Sequence, residues 1–279
     1  VALGLCAGTA DAAPKCVGAA ARDPERRCAD TSRRVTPTPE QAAITPNVAC
    51  ERDAVAGACT YGARHPVATV ALLGDSHAAH WRAALESVAK ARRWRVIEFA
   101  RPHCPFSFAR PAASEAGASE CVPFNRGVLQ WLAANPSVST VFVSNNARLA
   151  MARRGRDYKL DGAERALKAL PASVTRVVVL RDTPTVYLKT PACIRRAVKR
   201  KRAPGPACAI PRRRALVSDP TALAAQRLGH GVIDLTPFFC STRRCFPVVG
   251  GVLVHKDQDH LTQRFSRTLA PFLGRALGY

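Results

Sequence analysis

The stretch Val67-Ala68-Thr69-Val70-Ala71-Leu72-Leu73-Gly74-Asp75-Ser76-His77 decides the fold. Its first seven residues carry no charge, and Pro66 and Gly74 bound them. An apolar, β-branched run of this length predicts a strand buried on both faces, as in a parallel sheet. Gly74 permits a sharp turn, and a helix is expected from His77 to about Arg93. Ser76 then stands where the strand ends and the helix begins. The first amides of a helix lack intrahelical partners and stabilise negative charge beside them. Open parallel sheets also bind ligands at the carboxyl ends of their strands. A serine so placed is positioned as a nucleophile, although the same position suits a residue that only caps the helix.

The pattern repeats outward from this stretch. Further strands are expected at Trp94–Phe99, Ser139–Ser144, Arg176–Leu180 and Gly231–Leu235, and helices at Val122–Ala133, Gly162–Leu170, Ser218–Leu228 and Gln263–Leu277. In the last of these, Phe265, Leu269, Phe272, Leu273 and Ala276 recur at helical spacing. Strands alternating with helices predict a parallel five-stranded sheet covered on both faces, a three-layer α/β/α sandwich. Residues 1–65 show neither period. Rich in Pro, Arg, Ala and Thr, they are expected to form an N-terminal arm and linker, with the domain proper at 66–279.

The 279 residues hold 42 Lys and Arg against 20 Asp and Glu, a net charge of +22. Such an excess favours polyanions, whether nucleic acid, anionic lipid or acidic glycan. The charge is spread along an Ala-, Gly- and Pro-rich chain, which a biased genome composition also explains. The densest runs, Arg195–Arg202 and Arg212–Arg214, hold no aromatic residue. Without stacking platforms they argue against a nucleic-acid partner. No run of eighteen apolar residues occurs, so nothing in this sequence reads as a membrane span. Val1–Leu5 fit the tail of a longer hydrophobic segment.

Eleven cysteines are more informative. After Cys6 they fall into neighbouring pairs 5 to 17 positions apart, none forms a CxxC, and no Cys/His group has zinc spacing. Local pairing is the economical reading: Cys16–Cys28, Cys50–Cys59, Cys104–Cys121, Cys193–Cys208 and Cys240–Cys245, with Cys6 left over. Disulfides at this density place the chain in an oxidising, extracytoplasmic compartment.

The expected strand ends offer Asp75, Ser76 and His77, then Asn145 and Asn146, then Asp182. Near the C-terminus stands His255-Lys256-Asp257-Gln258-Asp259-His260-Leu261-Thr262. A nucleophilic serine needs a base, and the base needs a carboxylate to hold its tautomer. Asp257 and His260, three apart at a loop-to-helix junction, can face one another, with Asp259 pointing elsewhere.

Gly74-Asp75-Ser76-His77 with a C-terminal Asp-x-x-His resembles the SGNH (GDSL-like) hydrolase superfamily. More narrowly, the chain resembles the extracytoplasmic SGNH domain fused to membrane acyltransferase-3 proteins. The matching features are Gly74–Trp81, His103-Cys104-Pro105, Asp182-Thr183-Pro184, Asp234-Leu235-Thr236-Pro237 with Cys240 and Cys245, and Asp257–Thr262. The likeness runs from about Cys16 to the C-terminus. It implies a flavodoxin-like sandwich, with Ser76 as nucleophile, His260 as general base and Asp257 as its orienting carboxylate. The superfamily's oxyanion hole takes the Ser76 amide, a glycine amide after the second strand and an asparagine after the third. Asn145 or Asn146 supplies the last. No glycine follows the second strand, which leads into Ala100-Arg101-Pro102-His103-Cys104-Pro105, so the amide of His103 is the candidate stand-in.

The resemblance implies an O-acyltransferase, O-acetyl in the first instance, that acts on a cell-surface glycan and needs no cofactor. A membrane acyltransferase-3 domain, fused upstream, would deliver the acyl group and tether this one. The alternatives are an extracytoplasmic carbohydrate esterase with the same machinery, and a non-catalytic basic module that binds glycan or lipid. Asp75, His77 and His80 are candidate pocket residues. His77 and His80, with Asp75, could be imagined as metal ligands, but such histidines more often line a pocket or pack, and no metal is expected. His255 is a weaker base than His260. Trp81 and Trp131 read as core, Asp182 as ordering the turn before Pro184, and His65, His103 and His230 show no partner in the sequence.

Overall fold

Successive side chains of the strand Ala68–Gly74 leave on opposite faces, as pleating requires. Val70 and Leu72 enter one apolar cluster, Ala71 and Leu73 another. The strands Thr140–Ser144 and Arg176–Leu180 divide the same way, with Phe142, Val178 and Leu180 on the first side and Val141, Val143, Val177 and Val179 on the second. Two cores on the two faces of one sheet make the three-layer sandwich. This geometry comes from a computed structural model, which describes residues 16–26, 28, 30–45, 50–52, 58–153 and 155–279. The expectations for Val1–Leu5 and Cys6 fall outside the described residues.

In chain order the strands used below are β1 (Glu51–Arg52), β2 (Cys59–Gly62), β3 (Ala68–Gly74), β4 (Trp94–Ala100), β5 (Thr140–Ser144), β6 (Arg176–Leu180), β7 (Ile210–Pro211), β8 (Gly231–Ile233) and β9 (Arg244–Cys245). The central sheet runs β1-β2-β4-β3-β5-β6-β8. From β4 to β8 all neighbours are parallel. These are the five strands expected from the sequence. The sheet does not stop there: β2 pairs antiparallel with β4, and β1 with β2. Glu51–Arg52 and Cys59–Gly62 therefore cap an edge that would otherwise expose unpaired backbone groups. Their short strands carry no periodic signal, which is why the sequence reads as irregular there.

On one face pack Arg82–Arg92, Gln263–Thr268 and Ala270–Ala276; on the other Cys121–Ala134, Arg156–Lys168 and Pro220–Arg227. The expected helix at His77 is broken. One short turn, Ser76–Ala79, precedes Arg82–Arg92, and Trp81 between them is buried with its indole N–H donating to Ser144 Oγ at 3.2 Å. The break coincides with Trp81 packing on one face of the sheet and bonding to the end of the neighbouring strand β5. The last helix divides at Leu269, just before Pro271, which cannot supply a backbone N–H inside a helix. Asp219, not Ser218, caps Pro220–Arg227, accepting from the amides of Thr221 and Ala222. All five cystines join the cysteines that the spacing pairs.

Candidate active site

The site begins with Gly74. Its φ is +143°, and a Cβ there would collide with the carbonyl oxygen of Ser144, so the close approach of β3 to β5 needs glycine. The chain then turns on Asp75, fully buried, whose carboxylate accepts from the amides of His77 (2.8 Å) and Asn146 (2.9 Å). One side chain thereby caps the turn after β3 and fastens it to the loop after β5. Burial raises the Asp75 carboxyl above its ordinary value, with the nearby His77 acting against it. Ser76 is left at the carboxyl edge of the sheet.

The partner of Ser76 arrives from 184 positions away. His260 Nε2 lies 2.8 Å from Ser76 Oγ, and His260 Nδ1 lies 2.8 Å from Asp257 Oδ2. The other oxygen of Asp257 accepts from the amides of Asp259 (3.0 Å) and His260 (2.8 Å). The loop thus ties its own backbone to the carboxylate, which aims the second oxygen at the imidazole. Burial opposes ionisation of Asp257, but the hydrogen bonds from His260 prevail and hold its carboxyl well below the usual range. Thr262 locks the loop from behind, donating to the Leu253 carbonyl (2.6 Å) and accepting from Phe265 (3.1 Å) at the start of the next helix. With Nδ1–H directed at Asp257, Nε2 is free to accept the Ser76 proton.

Asp259 does not point elsewhere, contrary to the expectation from sequence. Its Oδ1 is 3.2 Å from His260 Nδ1, its Oδ2 is 3.6 Å from His77 Nε2, and Asn146 Nδ2 donates to Oδ2 at 3.3 Å. His77 is fully buried, and its Nδ1 is 2.6 Å from Asp182 Oδ1. A chain Asp182–His77–Asp259–His260 therefore runs from the interior to the base. Burial disfavours charge on His77, yet Asp182 and Asp259 outweigh it, and its pKa stands well above the ordinary value. Contact with His77 in turn holds Asp259 below the usual carboxylate range. Asp182 does order the turn before Pro184, accepting from Thr183 (2.8 Å) and Ala147 (2.8 Å), and it is also the anchor of His77.

The other candidates separate clearly. His80 is buried beside His77, ring centroids 4.9 Å apart, and neither of its ring nitrogens has a hydrogen-bond partner among the described residues. Burial and then the charge of His77 push its pKa well below the ordinary value. The Asn145 amide is committed to the interior, donating to the Phe106 carbonyl (3.4 Å) and Thr221 Oγ1 (3.0 Å) while accepting from Phe106 N (2.8 Å). Of the two asparagines, Asn146 is the one bonded into the Ser76–His260 neighbourhood. The His103 side chain is exposed and paired with Glu115 at 2.7 Å; its φ of +61° follows Pro102 in a turn closed by Cys104 N donating to Arg101 O. As for metal, Asp75 turns its oxygens to backbone amides, so the set Asp75, His77 and His80 does not converge. His77, Asp259 and His260 do bring one ligand atom each within 4.8 Å of one another, and those groups already pair among themselves.

Sequence reasoning missed Asp259 and the link from Asp182 to His77. The local signal was present: two aspartates flank Gln258, and either can reach a histidine. Which does so depends on the loop's turn. Also missed was Asp219, which accepts from the Asp182 amide (2.9 Å) and is pushed up to about 6 by burial and then by the charge of Asp182.

No curated protein matches the chain. Among solved structures it is similar to the periplasmic domain of a Salmonella ser. Paratyphi A lipopolysaccharide acetyltransferase, with a TM-score of 0.63, 15% identity, and coverage of 77% of this chain and 85% of that one. At that identity the likeness speaks for the fold. The sequence itself matches the family described as the SGNH domain fused to AT3 domains over residues 45–275. With most of its length so matched, the chain belongs to the family of SGNH domains fused to AT3 domains.

Proposed function

We propose that this domain is an O-acyltransferase that moves an acyl group, most simply acetyl, onto a hydroxyl of a cell-surface glycan outside the cytoplasm. The observation that carries the reading is the hydrogen-bonded line Ser76–His260–Asp257, with 2.8 Å on each side of the imidazole. In the first half-reaction His260 takes the Ser76 proton while Oγ attacks the acyl carbonyl. Collapse of the tetrahedral intermediate expels the donor's leaving group, which receives that proton, and leaves an ester on Ser76. In the second half-reaction His260 deprotonates the acceptor hydroxyl, which attacks the ester; collapse breaks the acyl–Oγ bond, His260 returns the proton to Ser76 Oγ, and the acceptor carries the acyl group away. Asp257 stabilises the imidazolium formed in each half. On this reading the Ser76 amide and Asn146 Nδ2, which also donates to Asp259, supply the oxyanion hole. Family membership supports an AT3 domain as the donor-side partner, and five disulfides support an oxidising compartment. The Salmonella neighbour is itself the periplasmic domain of a lipopolysaccharide acetyltransferase, which accords with acetyl transfer outside the cytoplasm.

One feature favours a second reading. His260 and Asp257 side chains are 28% and 47% exposed, so water reaches the base, as an esterase needs. Both readings are tested by incubating the domain with 4-nitrophenyl acetate and following intact mass, with and without candidate glycans. The expected result is a single acetyl on the Ser76 peptide, transferred to saccharide when an acceptor is present. Turnover by Ser76→Ala equal to that of the native chain would sink the mechanism, and hydrolysis that no glycan diverts would select the esterase.

A further inference from the structure

The arginines at 212–214 take no part in the chemistry at Ser76. Arg212 and Arg213 converge with Arg181 and Arg243 on an open cleft of about 650 Å³, where Ser218 and Thr242 add hydroxyls and no acid lines the wall. Arg181 directly follows β6, so the cleft lies on the same carboxyl edge of the sheet as Ser76. Two strand spacings separate β3 from β6, roughly 10 Å. The rim is continuous, because Arg148, just past Asn146, donates from Nη2 to the Arg214 carbonyl at 2.8 Å.

The cleft is also built in advance. β7 pairs antiparallel with β9, Arg212 N donates to Arg243 O at 2.8 Å, and the Cys240–Cys245 disulfide closes the β9 side. Arg212 Nη1 is held by the Ser241 carbonyl (3.0 Å), and Arg181 by Asp234 (2.7 Å) and the Val217 carbonyl (3.4 Å). Asp234 offsets one of the four charges. Arg213 and Arg243 meet no carboxylate among the described residues. Arg212 and Arg181 thus present held guanidinium forks, and Arg213 and Arg243 add exposed cations without counter-charge; such forks match the geometry of carboxylate and phosphate. Aromatic faces for stacking bases are absent from the cleft wall, which argues against nucleic acid.

We propose that this cleft is an acceptor subsite that takes a carboxylate or phosphate group of an anionic saccharide, leaving a nearby hydroxyl of the same chain at Ser76. The inference rests on the acyl-transfer reading for its last clause only. The span between cleft and serine suits a short oligosaccharide. Its anionic group would set which hydroxyl is presented.

The test uses tetragalacturonic acid as probe and maltotetraose as neutral control, with the full chain carrying Ser76→Ala so that nothing is turned over. Calorimetry should show the acidic tetramer bound and the neutral one not. The double substitution Arg213→Gln, Arg243→Gln should weaken binding by about tenfold. Lys199→Gln with Arg200→Gln, which removes the same charge elsewhere, should change it by less than about twofold. Equal weakening by both pairs would reduce the effect to net charge and overturn the proposal. Should the first pair fail to fold, phenylglyoxal modification of the native chain gives the same answer: tetragalacturonate should protect Arg213 and Arg243 but not Arg200. Protection by phosphatidylglycerol vesicles and not by the saccharide would overturn the assignment in favour of a lipid surface. Binding through these arginines in a domain that proves to have no acyl activity would keep the anion site and remove only its link to Ser76.

Discussion

The rim and the floor of the site are built differently. On the rim, Ser76, His260 and Asp257 bond side chain to side chain, and Asp257 is nearly half exposed. On the floor, Asp75, Asp182 and Asp219 are buried and accept from backbone amides: His77 and Asn146 to Asp75, Ala147 and Thr183 to Asp182, Asp182, Thr221 and Ala222 to Asp219. On the acyl-transfer reading proposed above, the rim carries the chemistry and holds little together. The floor ties the ends of β3, β5 and β6 to one another, and an amide left without its carboxylate there is costly. The two layers should therefore fail in different ways. His77 and Asp259 join them.

The sharpest contrast is between one rim and one floor substitution. Ser76→Ala should lower kcat/KM for 4-nitrophenyl acetate by about 10³-fold or more while moving Tm by no more than about 2 °C. Asp182→Ala should do the reverse in emphasis, costing about 3 kcal/mol in urea unfolding because His77 and two amides lose a buried partner. Unchanged stability in that variant would dissolve the distinction. Asp257→Asn removes the charge that stabilises the imidazolium and should cost about 10²-fold in kcat at near-native stability. Asp259→Asn, at the junction, should cost about tenfold in kcat and a little stability, since Asp257 still orients His260 while His77 loses its nearer-surface partner. A double cycle with His77→Gln should then be non-additive. Additive losses would show that the junction does not couple the layers.

A separate prediction concerns pH. His255 is buried and its pKa is lowered to about 4 by burial, against an ordinary value of 6.5. The folded state then binds fewer protons than the unfolded one, so this group's stabilisation is complete above pH 6.5 and lost as pH falls towards 4. His80 acts in the same sense. Asp219, raised to about 6, acts oppositely: its share is complete below the ordinary value of 3.8 and lost as pH rises through 6. His77, raised well above 6.5, likewise favours the folded state at low pH. Thermal melts at pH 7 and pH 4.5 should show His255→Leu losing less stability than the native chain, by up to roughly 2 kcal/mol. Parallel losses in the two proteins would mean that His255 is not the group that senses acid.

Much of this was written locally in the chain. The uncharged run before Gly74, the alternation of strand and helix, and the short cysteine spacings needed no partner to be read, because pleat, helical period and loop closure are properties of neighbours. Asp257 and His260, three apart, could likewise be paired from their spacing, while joining them to Ser76, 184 positions away, rested on the family resemblance. What the tertiary structure alone decided depends on which strand ends lie side by side. Only the order β4-β3-β5-β6 brings Asp182 to His77 and Asn146 to Asp75, contacts between residues 105 and 71 positions apart. The tertiary structure also divides the helix after Ala79, where the buried Trp81 bonds to Ser144. The choice between Asp257 and Asp259 belonged to a loop whose own amides aim one carboxylate at His260, while the buried His77 holds the other. A side chain's direction in a loop is set by what packs beneath it, and the sequence does not say what that will be.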